Sequence, residues 1–141
     1  MQVMKIYWKI IVLVFVTGIL VSCNGHQKEV DKLKGEVLGI HDEVMPLMGK
    51  IKEEQKRLMA ASGKIMAADS AKNKAKADEM RKVAKKLEDA YEGMFVWMRQ
   101  YKVDFEGMET EQVIAYLEDQ KNKVVKVNED ITEALEEARS F

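Results

Sequence analysis

The sequence predicts an all-α fold, an antiparallel three-helix bundle of long, coiled-coil-like helices preceded by a signal segment. Apolar residues recur at alternating steps of three and four in three separate stretches, which is the spacing of a helical seam. Punctuation between them is sparse, with a single proline and eight glycines in 141 residues. Long helices joined by short breaks favour an up-down-up arrangement. At 1.5 Å per residue, helices of about 30 residues make a rod roughly 45 Å long.

The first 22 residues stand apart from the bundle. Lys5 and Lys9 lead into an apolar run from Ile10 to Val21 and then small residues, the pattern of a secretory signal. The run is short of the roughly 20 apolar residues of a relaxed membrane span. Its end, Leu20-Val21-Ser22-Cys23, resembles the lipobox of bacterial lipoproteins. That resemblance implies cleavage before Cys23, a covalent diacylglyceryl lipid on its sulfur and commonly a further acyl chain on the new amino group. Cys23 is the only cysteine, so an internal disulfide is excluded and lipidation gives the thiol a role. A free thiol beside an ordinary cleavage site and an uncleaved anchor remain the alternatives. Two acyl chains hold a protein stably on a membrane. Residues 23–27 are then a lipidated cysteine and short polar tether, and residues 28–141 the bundle domain.

Without the leader, the 23 Lys and Arg less Lys5 and Lys9, set against 24 Asp and Glu, give a net charge of about −3. Both signs are mixed along the chain. A nucleic-acid partner is not expected, because that function calls for a strongly basic domain.

The first helix is expected from about Lys28 to Ala61, on the seam Val30, Leu33, Val37, Ile40, Val44, Leu47, Ile51 and Leu58. Leu38, Met45, Met48 and His41 widen its apolar face enough for two neighbours. Pro46 interrupts the backbone without interrupting the pattern. It predicts a kink, or else a new helical segment beginning at its first turn.

Two places offer a turn, Ser62-Gly63 and Ala67-Ala68-Asp69-Ser70, with Asp69 or Ser70 able to cap the next helix. The second helix runs to about Lys102 on the seam Met80, Val83, Leu87, Ala90, Met94, Trp97 and Tyr101. Its basic start alternates with acids and reads as a solvated face. Val103 to Glu109, containing Gly107, breaks the periodicity and forms the second loop; Thr110 is the expected cap. The third helix runs to about Ser140 through Val113, Leu117, Gln120, Val124, Val127, Ile131, Ala134 and Ala138.

The sequence holds no glycine-rich phosphate loop, no cysteine pair and no Glu-x-x-His pairing of di-iron bundles, so an enzyme is not expected. The unusual feature is methionine, ten in all. With the first turn centred near residues 67 and 68, antiparallel pairing sets His41 level with about Met94. His41, Met45, Met48, Met94 and Met98 would then gather, with Tyr91 and Trp97 beside them. Imidazole and thioethers favour Cu(I) or Ag(I), and an indole face can stabilise a cation. The plainer reading is that methionine fills irregular space between helices. A third is that this broad face docks a partner helix or an apolar ligand.

The stretches His41-Asp42-Glu43-Val44-Met45-Pro46-Leu47-Met48-Gly49 and Met94-Phe95-Val96-Trp97-Met98 resemble two motifs of small helical bacterial lipoproteins, some labelled viral A-type inclusion protein-like. Leu47 stands where a polar residue is expected in that family. The resemblance implies the helical fold and a place in the bacterial cell envelope, anchored to the outer or inner membrane with the domain facing the periplasm. It implies no activity. The expected function is therefore a non-enzymatic structural or protein-interaction module, through a partner or self-association, with soft-metal binding as the alternative.

Overall fold

The computed structural model describes residues 25–141. The predicted leader, Cys23 and its lipid lie outside the described residues. Among these residues every regular element is helical: α1 (25–44), a 3-10 turn at Met45–Leu47, α2 (Met48–Ala68), α3 (Ser70–Gln100) and α4 (Thr110–Ala138). Residues 25–27, expected as tether, already belong to α1. No helix among the described residues is long and apolar enough to cross a membrane.

Pro46 neither ends the first helix nor sits inside a regular one. It occupies the start of the 3-10 turn, where its missing N–H costs least. The backbone stays right-handed helical at Val44, Leu47 and Met48, so α2 continues α1. A 3-10 turn winds more tightly than an α-helix. Met48 accordingly becomes the buried residue, whereas Leu47, expected in the seam, is half-buried. Ile51 and Leu58 resume the expected seam and are fully buried.

The helix passes through Ser62-Gly63 without turning. Ser62 is buried, and its hydroxyl donates to the carbonyl of Met59 at 2.8 Å, so the one polar group that could have opened the turn is satisfied within the helix. The reversal falls on Asp69, a single extended residue (φ −158°, ψ 98°). Its carboxylate accepts from the Lys72 N–H at 3.0 Å, which caps α3. Asn73 Nδ2 donates to the Ile65 carbonyl at 2.7 Å, tying the end of α2 to the start of α3. Between α3 and α4, Gly107 takes φ +79°, a conformation that favours glycine, and lets the Met108 N–H reach the Phe105 carbonyl. A capping box of Glu109 and Gln112 opens α4, one residue before the expected Thr110.

Cross-helix pairs fix the packing. Neighbours of α1 and α2 on α3 fall from Trp97 beside His41 to Asn73 beside Ile65. Those on α4 rise from Lys121, paired with Glu36 at 2.7 Å, to Ala138, bonded to Arg57. The main core centres on Val37, Ile51, Leu58, Leu87, Met94 and Ile131. A smaller cluster of Val30, Leu33, Val113 and Leu117 closes the end that carries the α3–α4 loop. Leu135, outside the predicted seam, is also buried. The basic start of α3 is exposed and laced by Lys74–Asp78, Arg81–Asp78 and Lys85–Asp89 pairs, each worth little at a surface.

Candidate functional site

The seven residues singled out lie where α1 runs through the 3-10 turn into α2 and along the C-terminal third of α3. Met48, Met94 and Trp97 are buried members of the main core, and Met45, Tyr91 and Met98 pack against it half-buried. His41 lies at the edge, its side chain 21% exposed and its ring centroid 5.8 Å from that of Trp97. The expected neighbour at this level was Met94. Placing the reversal on Asp69, beyond residues 67 and 68, shifts the pairing by about one helical turn to Trp97.

The first carboxylate of the motif has a local partner: Asp42 Oδ1 is 2.9 Å from His41 Nδ1. With the proton on Nδ1, the imidazole donates to that carboxylate and Nε2 keeps a free lone pair. Met45 follows His41 by four residues and so shares its face of the helix. On α3, Tyr91 packs on Phe95 with centroids 4.9 Å apart, and Lys52 Nζ of α2 sits 4.3 Å above the Tyr91 ring.

From Trp97 an aromatic series leads toward the α3–α4 loop, through Tyr101 at 5.1 Å, Tyr116 at 6.3 Å from Tyr101, and Phe105 at 5.7 Å from Tyr116. Lys34 Nζ ends it, 4.6 Å from the Phe105 centroid. Burial, and secondarily Tyr116, holds the Tyr101 hydroxyl above its ordinary pKa. Tyr116 and Phe105 escape a seam-based reading, since one lies beside Leu117 and the other in a loop.

Two buried polar atoms among the described residues lack a hydrogen-bond partner, Nε1 of Trp97 and Oε1 of Gln120. Each belongs to a predicted seam position, and burial without a partner is costly for both. Among the described residues no three His, Cys, Asp or Glu side chains are grouped to hold a metal ion. Of the paired acids Glu53-Glu54 and Glu136-Glu137, Glu53 and Glu136 are exposed, while Glu54 pairs with Arg57 and Glu137 with Lys86. A groove of about 260 Å³ between α3 and α4, lined by Lys86, Asp89, Asp130 and Glu133 among others, is separate from the methionine cluster.

Comparison with protein families, curated proteins and solved structures finds no match to this chain.

Proposed function

We propose that this chain is a lipid-anchored, non-enzymatic protein of a bacterial envelope, an up-down-up antiparallel three-helix bundle that acts as a protein-interaction module. The supporting observation is an apolar flank left outside the core. Leu38 and Met59 on α1 and α2 are 45% and 51% exposed. Half-buried Met45 lies between them in the sequence, and Tyr91, Phe95 and Met98 are half-buried on α3. Apolar surface left exposed supports a docking face; Val96 and Val103 add to it at 41% and 78% exposure.

The anchor gives that face an orientation. His26 on α1 lies 3.5 Å from Glu111 at the start of α4, so this part of α1 sits at the end of the bundle that carries the α3–α4 loop. A lipid on Cys23 would hold this end near the membrane. The Asp69 turn and the C-terminus would then project away, and the flank would run along the side of the rod.

Two measurements test the reading. Detergent-phase partitioning of the protein from its native envelope, lost in Cys23→Ala, supports the anchor; equal partitioning of both would contradict it. A photo-crosslinking side chain at Leu38 should give adducts of discrete mass, and the same group at exposed Lys123 on α4 should not. Equal capture at both positions would remove the docking face.

A further inference from the structure

We propose that the half-buried surface beside Trp97 is a binding site for a soft monovalent cation, Cu(I) or Ag(I), with His41 Nε2 and the sulfurs of Met45 and Met98 as ligands. This goes beyond the interaction module and does not depend on lipidation of Cys23. Burial divides the methionines. Met94 is fully enclosed and Met48 nearly so, which assigns them to packing and not to ligation. Met45 and Met98 are half-buried, as is His41.

Each remaining feature suits a soft cation. Asp42 engages Nδ1 of His41 and directs Nε2 to a ligand, as carboxylates commonly do behind metal-bound histidines. Thioethers bind Cu(I) readily and hard ions poorly. Three neutral ligands would leave the positive charge on the ion, and the indole of Trp97 beside His41 offers an electron-rich face to it. Met98 is the residue after Trp97 on α3, and Met45 shares the helix face of His41, so the proposed ligands come from two facing helices. Divalent calcium or magnesium would require oxygen ligands that these residues do not assemble.

The test is an anaerobic Cu(I) titration against a chromophoric chelator. It uses the full-length chain in detergent with Trp8→Phe and Cys23→Ala, so that Trp97 is the only indole and no thiol competes. The parent should take up one ion per chain and quench Trp97 fluorescence. His41→Ala and Met98→Leu should each weaken binding at least tenfold, while Met59→Leu, a methionine outside the proposed ligand set, should leave it unchanged. Far-UV circular dichroism of every variant checks that the helices persist, and leucine preserves the volume of methionine. Failure of the parent to compete with the chelator would overturn the proposal. So would undiminished binding in folded His41→Ala and Met98→Leu.

Discussion

Arg57 of α2 donates a 2.7 Å hydrogen bond from Nη2 to the carbonyl of Ala138, the last residue of α4. The same guanidinium holds Glu54 one turn away at 2.7 Å. It thereby satisfies one of the orphan carbonyls at a helix C-terminus, where positive charge is also favoured. Arg57→Ala should cost about 1–2 kcal/mol in denaturant unfolding, on the scale of hydrogen bonds to charged groups. Amide exchange should quicken in the last turn of α4 and hardly change at the Asp69 turn.

Ile51→Ala should cost about 2–5 kcal/mol, because the side chain is fully enclosed and its removal leaves a cavity. Leu38→Ala, at an exposed position, should stay within about 0.5 kcal/mol of the parent. Chemical denaturation of the two side by side checks the assignment of core and flank.

Gln120 sits in the α4 seam with its Oε1 buried and unpartnered among the described residues, while Nε2 donates to Asp119 at 3.0 Å. Gln120→Leu removes the unmet acceptor at little change in volume. It should raise stability by about 1 kcal/mol, measured by urea unfolding.

The α3 cap is a single side chain. Asp69→Ala should cost about 1 kcal/mol, since the Lys72 N–H loses its acceptor. Asp69→Asn should recover most of that loss.

Glu36 titrates below the usual carboxylate range, chiefly through its hydrogen bond to Lys121, with Lys32 adding to the effect and desolvation opposing it. A depressed folded-state pKa contributes stability above the unfolded-state value, and that contribution disappears as pH falls through the folded value. Acidification should therefore weaken the α1–α4 contact, and raising the pH through neutrality should not. In Lys121→Gln the Glu36 carboxyl, followed by NMR, should titrate closer to its ordinary range.

The helical architecture was legible because Val37, Ile51, Leu58, Leu87, Leu117 and Ile131 obey the three-four beat and all are buried. Where the chain would turn was less legible. Ser62-Gly63 has turn chemistry, yet a serine can satisfy its hydroxyl within a helix, and only packing decides whether it does. Pro46 escaped a simple reading because the backbone absorbs it in one tighter turn, which exchanges Leu47 for Met48 inside. The level of His41 on α3 was legible from helix pairing to within about one turn, Trp97 in place of Met94. Which methionines are enclosed was not, because burial depends on the rotation of each helix as well as its level. Tyr116 joined the aromatic series through contacts that no spacing rule reveals.

Both the docking flank and the cation site depend on the pairing of α1 with α3 that lays His41 against Trp97. The most direct measurement is a proton NOE experiment on the protein. The ring protons of His41 should show cross-peaks to the Trp97 indole, as a centroid separation of 5.8 Å requires. Cross-peaks from His41 to residues near Ala84 instead, the register that a turn at Ser62-Gly63 would impose, would contradict the arrangement and remove the basis of both sites.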